Sequence, residues 1–302
     1  IRIEVIPSGK VGMDLADLNK FKTVNPDSFQ LIGLNIEPYS QAKEKTMDQL
    51  QETDVSQESD VSELSTANSF SHLHLHSQFS ILQATADIKS IVKKAVDMQM
   101  PAVGLTDHAN MYGAFKFVDT VFNHPINEGL SMHELKLKPI IGCELNVCKS
   151  HKDKSVRDNG SQQPLLAKNK EGYHNLSKLS SIGYVDGFYY VPRVDKDLIK
   201  QYKDHIIALS GSMYGPVPNL ILNVGLAQAE EEFKWWVDNF GDDFYVEINR
   251  HKLEDEDHVN KVLIQFAEKY NVKLIASNNV YYLEKEDAVA HDILLCVKEG
   301  EL

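Results

Sequence analysis

Long apolar runs are missing from this 302-residue chain. Nothing in it approaches the ~20 apolar residues that a membrane-spanning helix needs, which excludes helical membrane classes. Cysteine is scarce. Cys143, Cys148 and Cys296 form no C-x-x-C pair, so the chain has neither a disulfide framework nor a zinc ribbon, and the thiols read as those of a reduced, cytosolic protein. Positive charge is short as well, with 31 Lys and Arg against 44 Asp and Glu and a net charge of -13. That balance argues against this segment gripping nucleic acid by itself, because neutralising a phosphate backbone takes clustered cations. No glycine-rich phosphate loop is present, and no signal-peptide layout opens the chain. It begins IRIEVIPSGK without Met and ends LLCVKEGEL in helical pattern, and both ends read as edges of a segment of a longer protein.

What is present is ordinary globular material, 42% hydrophobic and 25% charged, enough for one large domain or two smaller ones. Residues 1–45 carry a short strand candidate, IRIEVI, and an apolar run, FQLIGLNI; they are read as an N-terminal extension of unknown role. Residues 46–70, TMDQLQETDVSQESDVSELSTANSF, hold no Lys or Arg and no sustained periodicity, the composition of a flexible acidic linker, with a solvated helix as the alternative. From residue 71 to 302 the text becomes rhythmic and is read as one further domain. SHLHLH is a strand. Residues 87–99 set Ile88, Ile91, Val92, Ala95 and Val96 on one helical stripe, with Asp87 placed to cap it. PAVGLTDH, KPIIGCELNV, HIIALSG, DFYVEINR and VKLIASNN follow as strands, alternating with helical patterns. Such alternation predicts a parallel sheet. Polar residues gather at the strands' C-terminal ends, where a closed β/α barrel places its chemistry, and an open doubly wound sheet is the second choice.

The row SHLHLH alternates His72, His74 and His76 with leucines, so a regular strand points all three imidazoles to one face, the way nitrogen ligands are presented to a metal. GLTDHANMYGA puts Asp107 and His108 where a strand hands over to a loop. IIGCELNV buries Glu144 in an apolar strand, where a carboxylate without a metal, cation or donor is costly. Three strand ends that supply His, His and Glu form a convergent constellation. SGSMYGP reads as a turn, not a nucleophile elbow. At least one of Trp235 and Trp236 is expected in the core, Arg193 is expected to pair with an acid at the barrel mouth, and His291 and Asp292 are expected to cap or orient the last helix.

FSHLHLHSQFSIL, VGLTDHANMYGAFKF, KPIIGCELNV, PLLAKNKEGYHNLSKL, GFYYVPRVDKDLI, HIIALSG, LIASNNVYYL and AHDILLCVKEG follow one another in the order and spacing of the polymerase-and-histidinol-phosphatase (PHP) domain. They resemble in particular the version that opens the alpha subunits of bacterial replicative DNA polymerases. The resemblance covers roughly residues 69 to 302. It implies a distorted seven-stranded β/α (TIM-like) barrel with a trinuclear metal cluster at the C-terminal face of its strands, able, where intact, to hydrolyse phosphate esters or remove 3′ nucleotides.

Carried over residue by residue, the implied ligands His74, His76, His108 and Glu144 are present. The aspartate expected after the first motif is Gln83, and the histidine expected before LLAKN is Gln162. The Cys or His expected after LSG is Ser212, and the last Asp and His are Asn279 and Tyr281. Two formal negative charges have therefore gone from a site meant to hold several divalent cations. The expectation is an inactive nuclease site, knitted by hydrogen bonds, retaining at most a single Zn²⁺ or Mn²⁺ on His74, His76, His108 and Glu144.

For the parent protein the resemblance implies a cytoplasmic, bacterial, Mg²⁺-dependent DNA-directed DNA polymerase of chromosome replication, with this segment structural and inactive by itself. The implied partners are the rest of the polymerase chain, the proofreading exonuclease and other replicase subunits. DNA would be contacted mainly through the polymerase domains, and no membrane is involved. The alternatives are a metal-dependent phosphoesterase or 3′–5′ exonuclease that uses a residual metal site, and a free-standing interaction module.

Overall fold

A computed structural model describes residues 5–6 and 70–300 of the chain. Except for Val5, Ile6 and Phe70, the expected N-terminal extension and acidic linker lie outside the described residues. Strand β1 (Val5–Ile6) is followed by α1 (Ile88–Asp97), β2 (Ala102–Leu105), α2 (Ala114–Phe122), β3 (Lys138–Cys148) and β4 (Ser161–Ala167). Then come α3 (Lys170–Val185), β5 (Val194–Asp195), α4 (Lys196–Tyr202), β6 (Ile206–Leu209), α5 (Pro216–Asn223) and α6 (Leu226–Phe240). The series ends with β7 (Phe244–Ile248), α7 (Glu254–Tyr270), β8 (Lys273–Ala276) and α8 (Ala288–Glu299).

The sheet runs β1-β8-β7-β6-β4-β3-β2, with β5 paired to the far end of β3. Residues 72–76 link its two sides. Gly104 N donates to His72 O (2.7 Å) and Thr106 N to Leu75 O (2.8 Å), while on the other flank His76 N donates to Val280 O (2.8 Å) and Val280 N to His74 O (3.1 Å). Together with β2, β3, β4, β6, β7 and β8 this segment makes seven strands around a curled sheet, as the resemblance implies.

The expectation of a parallel sheet holds only in part. β2–β3, β6–β7 and β7–β8 are parallel, but β4 runs antiparallel to both β3 and β6. No helix separates β3 from β4, so the chain doubles straight back. β4 escapes a pattern reading because it contains Pro164, opposite Glu144, and proline argues against a central strand. Gly142 lies where β4 comes closest: a Cβ there would sit 2.6 Å from Leu165 O and 2.7 Å from Thr106 Cγ2, so only glycine fits.

The helices follow from their sequence. Asp87 accepts hydrogen bonds from Lys89 N (3.0 Å) and Ser90 N (3.2 Å), a cap worth about 1 kcal/mol. Ile88, Ile91, Val92 and Ala95 of α1 are buried, each larger side chain worth roughly 1.5–3 kcal/mol. α6 closes at Gly241 with φ 54°, and α7 at the left-handed Asn271. Inside the barrel Leu73, Ile140, Leu166, Ile207, Leu209, Tyr245 and Ile275 pack together beneath the strand ends. A second core, with Trp236 fully buried, fills the space between sheet and helices. No described helix is long and apolar enough to cross a membrane.

Candidate metal centre

Along β2, Gly104 N and Thr106 N are two residues apart, yet they bond to His72 O and Leu75 O, three apart. One extra residue on the histidine segment is a β-bulge, and it reverses the inside–outside alternation across it. The three histidines therefore do not share a face, as regular alternation predicts. His74 and His76 point into the barrel. His72 turns outward, edge-on to Phe70 (4.8 Å), into an apolar groove with Ile91, Met98 and Val280. Burial there lowers its pKa to about 4.

Glu144 is the hub. Its Oε1 lies 2.9 Å from His74 Nε2, and its Oε2 lies 3.2 Å from His76 Nε2 and 2.9 Å from His108 Nδ1. β3 carries Glu144 up to the loop after β2, where Glu144 N donates to Asp107 O (3.1 Å) and Ala109 N to Glu144 O (2.7 Å), fixing His108 beside it. Asp107 accepts from Ser77 N (2.7 Å), Ser77 Oγ (2.8 Å) and Ser80 Oγ (2.8 Å), so it braces the turn after His76 and does not face the centre.

Glu247, on β7, was not among the residues picked from sequence. Its Oε1 lies 2.9 Å from His74 Nδ1 and accepts from Asn249 Nδ2 (3.1 Å). His74 thus sits between two buried carboxylates. Burial alone would lower its pKa, but the charges and hydrogen bonds of Glu247 and Glu144 outweigh it and push it up to about 10, making His74 an imidazolium. Burial acts in the opposite sense on the two acids. The imidazoles, foremost the charge of His76, still hold Glu144 well below its usual value, and the charge and hydrogen bond of His74 lead those that depress Glu247. The signal was available: YVEI places an acid inside an apolar strand, the pattern that singles out Glu144.

Three of the five substituted positions meet one another. Asn279 Nδ2 lies 3.2 Å from Ser212 Oγ and 3.4 Å from Tyr281 Oη, and the Tyr281 ring stacks on His76 (centroids 4.2 Å apart, planes 3° apart). Burial, followed by the charge of Glu144, pushes the Tyr281 phenol well up, so it stays protonated. Gln162 bonds through its backbone N to Tyr214 O (2.8 Å), and its side-chain oxygen is buried without a partner among the described residues. Gln83 offers its carbonyl to His291 Nε2 (2.8 Å), which ties α8 to the loop after His76.

Other sequence readings resolve clearly. Ser210 Oγ accepts from Glu247 N (2.9 Å) and Gly215 N donates to Ser212 O (2.8 Å), as befits a turn. Among the described residues, no acid side chain pairs with Arg193. Its guanidinium is buried and donates to the carbonyls of Gly187 (3.1 Å), Asp158 (3.0 Å), Asp153 (3.0 Å) and His151 (3.4 Å). Asp195, two residues on in sequence, is bonded to His151.

Residues 72–251 match the PHP domain family. The chain belongs to it. DNA polymerase III subunit alpha of Borreliella burgdorferi is 39% identical over 241 residues, 78% of this chain and 20% of that protein. The subunit of the same name from Treponema pallidum is 39% identical over 234 residues, 76% of this chain and 19% of that protein. The chain thus spans about a fifth of the length of these curated relatives. Among solved structures, an amidohydrolase from Chromobacterium violaceum is similar with a TM-score of 0.46 and 10% identity, over 72% of this chain and 89% of that one. The sheet continues past residue 251, with β8 paired to β7 and Val280 to the segment of His74 and His76.

Among the described residues, one donor set could hold a metal ion. His74, His76 and Glu144 bring ligand atoms within 4.8 Å of one another. Both histidines aim Nε2 at Glu144 while Nδ1 faces an acceptor, Glu247 Oε1 for His74 and Val280 O (3.2 Å) for His76. An acceptor on one ring nitrogen orients the other, as in metal-binding imidazoles. The remaining family positions supply two amides, a hydroxyl paired with a third amide, and a protonated phenol. None of them balances the charge of a second or third cation.

Proposed function

We propose that this chain is the PHP region of a bacterial DNA polymerase III alpha subunit, and that its barrel is a scaffold without hydrolytic activity of its own. In this reading the parent protein is a DNA-directed DNA polymerase that extends a primer in chromosome replication with Mg²⁺ held in another domain. Residues 71–302 form the PHP unit, and the barrel supports the polymerase and offers a surface to the proofreading exonuclease and other replicase subunits in the bacterial cytoplasm. One observation supports the loss of catalysis: at positions where the family resemblance implies metal ligands stand three neutral groups, Asn279 with its Nδ2 bonded to Ser212 and to Tyr281.

His74, His76 and Glu144, with His108 beside them, are the residues that would hold one Zn²⁺ or Mn²⁺. A bound ion of this kind supplies a Lewis acid and a cross-link between strands. Two-metal hydrolysis needs ions about 3.5–4 Å apart, one to activate water and one to stabilise the leaving oxygen, and the neutral positions offer the second ion no anion. The chain's own residues here orient and neutralise: Glu144 gathers three imidazoles, Glu247 fixes His74, and Tyr281 covers the face of His76.

Metal analysis of the purified chain, with an exonuclease assay in Mn²⁺, tests the reading. At most one ion per chain and no turnover above background are expected. Two or more fully occupied ions, with turnover abolished by His76→Ala, would overturn it in favour of a phosphoesterase or 3′–5′ exonuclease. The coding frame beyond Leu302 tests the polymerase assignment separately, since a stop codon soon after it would remove the parent enzyme.

A further inference from the structure

In a chain of net charge -13, residues 149–157 concentrate Lys149, Lys152, Lys154 and Arg157 in the loop between β3 and β4. The loop starts five residues beyond Glu144, ~17 Å farther along the strand at about 3.3 Å per residue. Lys149, Lys152, Lys154 and Arg157 are all exposed. The loop's own acids are spent on its shape. Asp153 accepts from Ser155 N (2.9 Å) and Ser155 Oγ (2.6 Å), and Asp158 accepts from Gly160 N (2.9 Å) and Lys149 N (2.9 Å). The four cations outnumber the loop's two acids, Asp153 and Asp158, and lie exposed on a backbone that is held in place.

Arg193 does the holding, and it also selects the neighbour. By donating to the carbonyls of Asp153, Asp158 and Gly187 it staples the loop to the turn that carries Phe188 and Tyr190. A Cβ on Gly187 would stand 2.0 Å from Arg193 O, so the turn approaches as only glycine allows. Tyr190 has φ 63°, a costly conformation for a bulky residue. It is not kept for burial, because Tyr190 is 60% exposed and Phe188 48%. The Arg157 guanidinium lies 4.6 Å from the centre of one face of the Tyr190 ring, a cation–π contact.

Exposed cations flanking exposed, backbone-fixed aromatic rings are the pattern by which proteins take single-stranded nucleic acid, with lysines on phosphates and rings under unpaired bases. Duplex DNA would use the charges and leave the rings idle. An acidic peptide would do the same. We propose that the β3–β4 loop and the Phe188–Tyr190 turn form a single-stranded nucleic-acid contact, with Lys149, Lys152, Lys154 and Arg157 meeting phosphates and Tyr190 stacking on a base. The charge deficit of the whole chain does not oppose this, because phosphate contacts are local and Arg193 holds the backbone of the loop that carries the four cations.

The test is fluorescence anisotropy of a labelled oligothymidylate with the 302-residue chain across a salt series. Neutralising Lys152, Lys154 and Arg157 together with Gln should lower the salt slope by about 2, since each phosphate contact on a single strand contributes roughly 0.7. Tyr190→Gly should weaken binding roughly tenfold at an unchanged slope, the loss of one base stack. Glycine suits the left-handed backbone, so its thermal midpoint should match or exceed that of the parent, which separates lost binding from lost folding. The proposal fails if the parent chain does not bind at low salt, if either variant binds like the parent, or if polyglutamate of equal length competes as well as the oligonucleotide. None of these outcomes bears on the metal count.

Discussion

Exchanging Glu247 for Gln removes one charge from a fully buried triad and leaves the volume nearly unchanged. His74 lies 2.9 Å from Glu247 and 2.9 Å from Glu144. Burial pulls its pKa down, yet the two carboxylates, led by the charge of Glu247, raise it from 6.5 to about 10. At 1.36 kcal/mol per unit, that rise is worth roughly 5 kcal/mol of preference for the imidazolium. Because the folded pKa is the higher one, this stabilisation is complete below about pH 6.5. It is withdrawn as pH climbs from 6.5 to 10 and is gone above that.

In Glu247→Gln, His74 keeps one counter-ion instead of two. Removing one partner of a buried ion pair costs about 3–5 kcal/mol, or roughly 10 °C in Tm for a domain of this size. The fall of Tm between pH 7 and 9.5 should flatten at the same time, because the leading cause of the raised pKa has gone. Thermal melts and urea unfolding of chelator-treated protein at pH 6, 7.5 and 9.5 measure both effects. His74→Gln with Glu247→Gln should lose less than the sum of the two single changes, by about 1–3 kcal/mol, because the double variant strands no charge. Should Glu247→Gln melt within a degree or two of the parent at every pH, and the parent show no decline toward pH 9.5, the account of His74 as a buried cation is wrong.

His72 gives the opposite pH dependence. Burial lowers its pKa to about 4, so the unfolded chain takes up the proton first, and stability should fall as pH drops from 6.5 toward 4. His72→Phe should remove that part of the acid sensitivity, read as the difference between urea midpoints at pH 7 and 4.5. Arg193→Met strips four carbonyls of their buried donor. It should cost about 3–5 kcal/mol and speed tryptic cleavage after Lys152 and Lys154 at least several-fold; unchanged cleavage would mean that the loop holds its shape without the clamp. Restoring ligand chemistry with Asn279→Asp and Tyr281→His should raise bound Zn²⁺ or Mn²⁺ above the parent's content, and added metal should raise Tm by mass action. A variant that binds no more metal than the parent would show that charge at these two positions is not what limits assembly.

The parts of this protein legible in sequence are those where a local pattern has one physical solution. The stripe of Ile88, Ile91, Val92 and Ala95 behind Asp87 can only be an amphipathic capped helix, and a carboxylate at Glu144 inside an apolar strand must find partners. What escaped was register and reach. The bulge that swings His72 out of line is a property of how residues 72–75 pair with β2, and no alternation rule applied to one strand contains it. Glu247 obeys the same rule as Glu144, yet its significance lies in which histidine it meets, 173 residues away. Arg193 was assigned an acid because charge suggests charge. Here backbone carbonyls solvate the guanidinium instead, and Asp195 is bonded to His151. In each case the residue type was right and the partner was decided by the fold. A substitution such as Asn279 for Asp therefore has to be judged atom by atom: Nδ2 is held by Ser212 and Tyr281, whereas Oδ1, the atom that could ligate a metal, is buried without a partner among the described residues and, being neutral, brings no charge to a cation.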